Sequence, residues 1–264
     1  MSKVTIQTLE EMKADGEKIA VLTAYDASMA RMADGAGVDA ILVGDSLGMV
    51  IQGRDTTLGV SVDDMIYHSS LVAGATERAL IVTDMPFMSY ATPEQAFETA
   101  ARLMGEGDAH MVKLEGGSWL LETVAGLAER GVPVCAHLGL TPQSVHQFSG
   151  YRIQGREPEA AERMRAAALE LEAAGAAMLV LECVPAALAA SISAALSIPT
   201  IGIGAGVDCD GQVLVLYDVI GVSPRVPKMA QDFLAGTDSI AAALGAYVAA
   251  VRERRFPTAA HSFD

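Results

Sequence analysis

Eight short aliphatic runs punctuate this chain, and their spacing constrains the fold more than any other feature. They are IAVLTAY (19–25), DAILVGD (39–45), ALIVTD (79–84), HMVKLEG (110–116), VPVCAHLG (132–139), AAMLVLEC (176–183), IPTIGIGAG (198–206) and QVLVLYD (212–218). Runs of this length, bounded by glycine or proline, have the pattern of strands buried on both faces. Between them lie Ala- and Leu-rich stretches with charges on one side: 93–105, 118–130, 157–174 and 185–196. Thr92-Pro93-Glu94-Gln95 carries an N-cap, a first-turn proline and the glutamine of a capping box. Ser61 and Thr141 are expected to open similar helices. Eight strands separated by helices favour a closed (β/α)8 TIM barrel over an open sheet. The 264 residues suit one such barrel, so 1–264 reads as a single barrel domain. Residues 1–16 read as an extra N-terminal helix capping the barrel bottom, and 229–253 as a closing helix.

Charge and cysteine content narrow the function classes. A net charge of −15 argues against nucleic acid, which demands clustered Lys and Arg, and against an anionic membrane surface. An anionic substrate would therefore need a local cation, from a lysine or a metal. Cys135, Cys183 and Cys209 are widely spaced and odd in number, which fits a reducing cytoplasm better than a disulfide framework. The N-terminal stretch lacks the apolar core of a signal peptide. The uncharged stretch 183–207 is broken by Pro185, Pro199 and three glycines into pieces too short to span a bilayer.

The strand ends carry the chemistry. In a barrel the active site lies at the C-terminal ends of the strands. Here those ends read Asp45, Asp84, Lys113 with Glu115, His137, and Glu182. Alternation groups Ile41, Val43 and Asp45 on one face, Leu80, Val82 and Asp84 on another, and Met111, Lys113 and Glu115 on a third. Acids from three neighbouring strands would then meet at one mouth, at a cost of several kcal/mol in repulsion and desolvation unless a cation joins them. An all-oxygen ligand set selects a hard ion, Mg2+ or Mn2+, over zinc.

Each residue also has a plainer reading. An Asp after a strand commonly caps a helix or makes a turn, and Asp26 and Asp55 read that way. Lys113 and Glu115 could form a structural ion pair, and His137 could be a hydrogen-bonded loop histidine. Glu182 resists such a reading, because it interrupts an apolar run. GIGAG (202–206) lacks the GxGxxG spacing and the lysine of a phosphate loop, so tight turning or close backbone approach competes with phosphate binding. The segment 137–156 is long for a βα loop and is a candidate lid, with a packed surface loop as the alternative.

Taken in order, TAYDASMA, LVGDSLGM, DMPFMSYATPEQAF, MVKLEGG, VPVCAHLGLTPQSV, GYRIQGR, LVLECVP, IGIGAG, VPKMAQDFL and the terminal HSF resemble the blocks of the ketopantoate hydroxymethyltransferase family. The resemblance covers nearly the whole chain. It implies transfer of a hydroxymethyl group from 5,10-methylenetetrahydrofolate to 3-methyl-2-oxobutanoate, giving ketopantoate for pantothenate synthesis. It implies one Mg2+ per subunit, held by Asp45 and Asp84, with Glu115 a ligand directly or through water. Ser46 and Lys113 would hold the 2-oxo acid, Glu182 would remove its C3 proton, and His137 would support the substrate's edge. It also implies a cytoplasmic homo-oligomer, commonly a decamer of paired pentamers. The nearest rival is another Mg2+-dependent 2-oxo-acid barrel, of the phosphoenolpyruvate mutase and isocitrate lyase kind. A Lys-Lys-Cys-Gly-His stretch of isocitrate lyase type is missing from the chain.

Overall fold

The protein is described by a computed structural model that covers residues 2–148, 150, 152–223 and 225–264. Its strands are β1 (Ile19–Thr23), β2 (Ala40–Val43), β3 (Leu80–Asp84), β4 (Met111–Glu115), β5 (Val134–Gly139), β6 (Met178–Glu182), β7 (Thr200–Ile203) and β8 (Gly211–Leu214). All eight pair in parallel and in chain order, and β8 closes onto β1, with Val21 beside Val213. The barrel expected from the eight runs is therefore the fold.

The helices are α1 (Ile6–Asp15), α2 (Ala27–Ala36), α3 (Leu47–Val50), α4 (Val62–Ala73), α5 (Pro93–Gly105), α6 (Leu121–Glu129), α7 (Pro158–Ala173), α8 (Ala186–Ala195), α9 (Leu216–Val219) and α10 (Ile240–Arg252). Their starts follow local chemistry. Asp26 caps α2 through the Ser28 and Met29 N–H groups. Ser61 and Asp64 form a reciprocal capping box on α4. Thr92 caps α5 ahead of Pro93, without the returning Gln95 bond that a capping box requires.

Four expectations need correction. Thr141 opens only a single 3-10 turn, Pro142–Ser144, with no side-chain cap. The 118–130 stretch begins as a 3-10 turn, Ser118–Leu120, before α6. The closing helix starts at Ser239, whose hydroxyl caps it, so 229–239 is loop. Strands β7 and β8 have no helix between them, because residues 204–210 are too few for a helical crossover.

Two apolar layers hold the barrel together. Inside it, Ile19, Val21, Ala40, Leu80, Val82, Met111, Cys135, Met178, Val180, Ile201 and Val213 pack together. The opposite strand faces, including Leu22, Ile41, Val43, Ile81, Val112 and Leu181, pack against helix residues such as Ala30, Met65, Leu103, Val124 and Ile192. Each fully buried aliphatic side chain contributes roughly 1.5–3 kcal/mol. Helix α1 plugs the bottom as expected: Val4 and Leu9 join the inner layer. Lys13 at its end pairs with Asp210 at 2.8 Å. With the N-terminal end sealed, access to the barrel axis is from the opposite mouth.

Candidate active site

Strand register assembles the mouth. Inward-facing positions run Leu80, Val82, Asp84 on β3 and Met111, Lys113, Glu115 on β4. The same alternation carries Cys135 to His137 on β5, and Met178 and Val180 to Glu182 on β6. Pairing then sets Asp84 beside Lys113, and Glu115 beside His137. A cavity of about 1040 Å³ opens there, and Asp45, Ser46, Asp84, Lys113, Glu115, His137 and Glu182 all line it.

Asp45 arrives by a different route from the expected one. Ile41 and Val43 belong to the helix-facing layer, whereas Ala40 and Leu42 face the barrel interior. Continued alternation would have sent Asp45 outward. Instead β2 stops at Val43 and the chain turns at Gly44. A Cβ on Gly44 would meet Ser46 Oγ at 2.8 Å and Asp84 Oδ2 at 3.5 Å, so a side chain there would displace the Ser46 hydroxyl. The Asp45 N–H donates to Asp84 Oδ2 at 3.0 Å, which brings the two carboxyl groups together.

The floor is a dense cluster of charge. Lys113 Nζ lies 2.8 Å from Asp84 Oδ1 and 3.9 Å from Glu115 Oε1. It also lies 3.2 Å from His137 Nδ1. An ammonium only donates, so Nδ1 is the acceptor and the ring proton sits on Nε2. That Nε2 is buried, has no hydrogen-bond partner, and lies 3.5 Å from Glu182 Oε2. Burial, then the neighbouring Lys113 charge, lowers the His137 pKa and keeps the imidazole neutral. Burial alone would neutralise Lys113, but Asp84, Glu115 and Asp45 outweigh it and raise its pKa. Burial likewise opposes Glu115 ionisation, yet the Lys113 charge and the Gln143 N–H, among its neighbours, hold its pKa below the usual value.

Glu182 behaves differently. Burial first, then the Glu115 charge, pushes its carboxyl up to about 8, with a side chain only 13% exposed at the cavity wall. Asp45 is raised well above its usual value by burial and by Asp84 and Glu115. Four carboxyl groups thus crowd one buried ammonium.

That imbalance fits a divalent cation. Among the described residues, no three His, Cys, Asp or Glu groups gather into a ready-made metal cage. Mg2+, however, commonly takes one or two carboxylates and completes its shell with water and substrate oxygens. Asp45 and Asp84 are such a pair. Asp84 Oδ1 is buried and, although in ion-pair range of Lys113, is not aligned for a hydrogen bond. Glu115 is committed to Gln143, Lys113 and His137, which suits a ligand acting through water.

Sequence reading missed the residues that hold this cluster. Gln143 is 6% exposed and donates through Nε2 to Asp45 Oδ2 (2.8 Å) and Met85 O (2.9 Å). Its backbone N–H donates to Glu115 Oε2 at 3.0 Å. Tyr90 OH donates to Gln143 Oε1 at 2.5 Å, and Tyr25 OH meets Ser46 Oγ at 2.8 Å. Tyr25 ends the first apolar run, a position open to the same strand-end logic; Tyr90 lies in a loop and Gln143 in a single 3-10 turn, neither at a strand end.

The start of the 137–156 segment is packed onto these carboxylates through Gln143. Ser149 and Tyr151 lie outside the described residues. GIGAG spans the end of β7 and the start of the β7–β8 connection, and its Gly204 faces the Phe263 ring of the terminal HSF. No helix among the described residues is long and apolar enough to cross a membrane.

Comparison with known proteins gives a consistent picture. The profile of the ketopantoate hydroxymethyltransferase family matches residues 3–259. A 3-methyl-2-oxobutanoate hydroxymethyltransferase of Thiobacillus denitrificans is 61% identical, covering 98% of this chain and 99% of its own. A second, from Pseudomonas entomophila, is 58% identical over the full length of both. Among solved structures, a protein of Burkholderia cenocepacia assigned as a phosphonomutase superposes with a TM-score of 0.66 at 17% identity, covering 82% of this chain and 94% of that one. A phosphonopyruvate hydrolase solved with oxalate and Mg2+ gives 0.61 at 13% identity, covering 81% of each. These structural likenesses carry the barrel fold.

Proposed function

The chain belongs to the ketopantoate hydroxymethyltransferase family and is a transferase of that kind, and on that premise we propose how it works: a hydroxymethyl group passes from 5,10-methylenetetrahydrofolate to 3-methyl-2-oxobutanoate through an enolate. The observation that carries this reading is Glu182. A carboxyl group whose pKa lies near 8 is ionised in part at neutral pH and basic enough to take a proton. It stands at the wall of a cavity whose floor carries the compensating cation, Lys113.

The steps follow from the residues. Ser46 and Lys113 receive the carboxylate and oxo group of the 2-oxo acid. The unpartnered Nε2–H of His137 is offered to the substrate's edge. Glu182 takes the C3 proton, and Lys113 stabilises charge developing on the oxo oxygen. The C3 carbanion bonds to the one-carbon unit and water supplies its hydroxyl, while both bonds from that carbon to the folate nitrogens break; the proton taken by Glu182 and one from the water go to those nitrogens as tetrahydrofolate leaves. Asp45 and Asp84 would hold Mg2+, with Glu115 behind a water; the ion supplies polarisation of the oxo group when bound. That the phosphonopyruvate hydrolase of this fold was solved in complex with oxalate and Mg2+ supports a hard cation here.

The same reading places the enzyme in the cytoplasm as a homo-oligomer, a decamer of paired pentamers. Exposed Tyr67, Phe87, Met88 and Trp119 support association with further copies. The deciding experiment is proton NMR of 3-methyl-2-oxobutanoate with enzyme and Mg2+ in D2O, with and without the folate. C3 proton loss that requires Mg2+ and Glu182, with ketopantoate only when folate is present, is the expected result. Exchange without product would remove folate from the scheme; no exchange would remove the metal site and base.

A further inference from the structure

We propose that Gln143 is a positioning residue for the cation site, setting the orientation of Asp45 and Glu115 toward a divalent ion; the proposal rests on the Mg2+ reading above. The hydrogen-bond inventory around Gln143 leaves one arrangement. Tyr90 OH accepts the Glu115 N–H at 3.3 Å and stands 3.3 Å from Glu115 O, but its proton goes to the much nearer acceptor, Gln143 Oε1 at 2.5 Å. On the other side of the amide stand Met85 O and Asp45 Oδ2, at 2.9 and 2.8 Å. A peptide carbonyl can only accept, so the amide must present its NH2 there, and both of its protons are used.

The backbone N–H of the same residue goes to Glu115 Oε2 at 3.0 Å. One residue therefore fixes one oxygen of each of two carboxylates that come from different strands. For Asp45, β2 does not supply this constraint. Asp45 lies beyond the end of its strand, where the sheet no longer sets side-chain direction. With Gln143 holding Oδ2, the Asp45 carboxylate is turned so that its second oxygen serves the cation. Tyr90 acts one bond further out, holding the amide from flipping. Groups of this kind around metal ligands typically carry a 10- to 100-fold effect on metal affinity.

The test measures Mg2+ binding by titration calorimetry in the presence of 3-methyl-2-oxobutanoate, on the wild type, Gln143→Met and Tyr90→Phe. Methionine fills the space but donates and accepts nothing of comparable strength. Its Mg2+ Kd is expected to rise 10- to 100-fold, with the proton-exchange rate recovering as Mg2+ is raised by the same factor. Tyr90→Phe keeps the ring and is expected to weaken Mg2+ binding several-fold; it carries the test if Gln143→Met does not fold. A melting temperature that falls while the Kd of the folded variants stays within twofold of wild type would assign both residues to scaffolding and overturn the proposal. Failure of the wild type to bind Mg2+ would instead overturn the metal-site reading beneath it.

Discussion

Glu182→Gln should abolish C3 proton exchange and yet stabilise the cation-free protein, increasingly so at high pH. The carboxyl's pKa is raised from 4.5 to about 8, with burial the leading cause. Between those values the folded state binds more protons than the unfolded chain. Stability contributed by this group is therefore present at low pH and declines as pH rises through the window. Linkage puts the loss on the order of 4 kcal/mol between pH 5 and pH 9. Glutamine keeps the shape and never ionises, so the variant escapes that loss. The assay is urea denaturation in EDTA at pH 5, 7 and 9, comparing wild type with variant. The stability difference should be small at pH 5 and favour the variant by a few kcal/mol at pH 9. A stability gap that does not change with pH, or a variant less stable at pH 9, would refute the assignment of an unpaired, desolvated carboxyl.

Lys113→Met removes the buried ammonium from beside Asp84 and should destabilise the protein by about 3–5 kcal/mol, measured by denaturant unfolding; adding Asp84→Asn should recover part of that loss. Removing divalent ions with EDTA should stop proton exchange. Mg2+ restored at 100 times its Kd should stabilise the fold by about 2.7 kcal/mol, visible as a higher melting temperature. Gly139→Ala should impair exchange through Glu182, because Gly139 has φ +97° and a Cβ there would sit 2.2 Å from Glu182 O. Hydrogen–deuterium exchange would then show loosening at the end of β6, where Leu140 N–H normally donates to that carbonyl at 2.8 Å.

What was legible in the sequence was set by local rules. The strands announce themselves because a strand buried on both faces must be apolar throughout, and Lys113 or Glu182 stands out in such a run. Caps such as Ser61 and Asp26 are legible because they satisfy their own helix ends. Strand-end position brought Asp45, Asp84, Lys113, Glu115, His137 and Glu182 to one cavity, since the barrel sends every strand to one mouth. Local rules failed where a chain segment departs from its element. Asp45 reached the site against the strand alternation, through a turn at Gly44, and at Thr141 the expected helix is a single 3-10 turn whose Gln143 joins the cluster.

The sequence by itself determined the barrel, its sealed bottom, and the titratable residues gathered at its mouth, because periodicity and residue type act over a few neighbours. Only the tertiary structure decided the proton inventory and the scaffold of the site. The Glu182 pKa near 8, the neutral His137 with Nε2–H unpartnered, and the links from Gln143 to Asp45 and Glu115 all depend on burial and on contacts across strands. Asp45 and Gln143 are 98 positions apart. Desolvation and long-range hydrogen bonds act through space, and nothing in the local sequence encodes them.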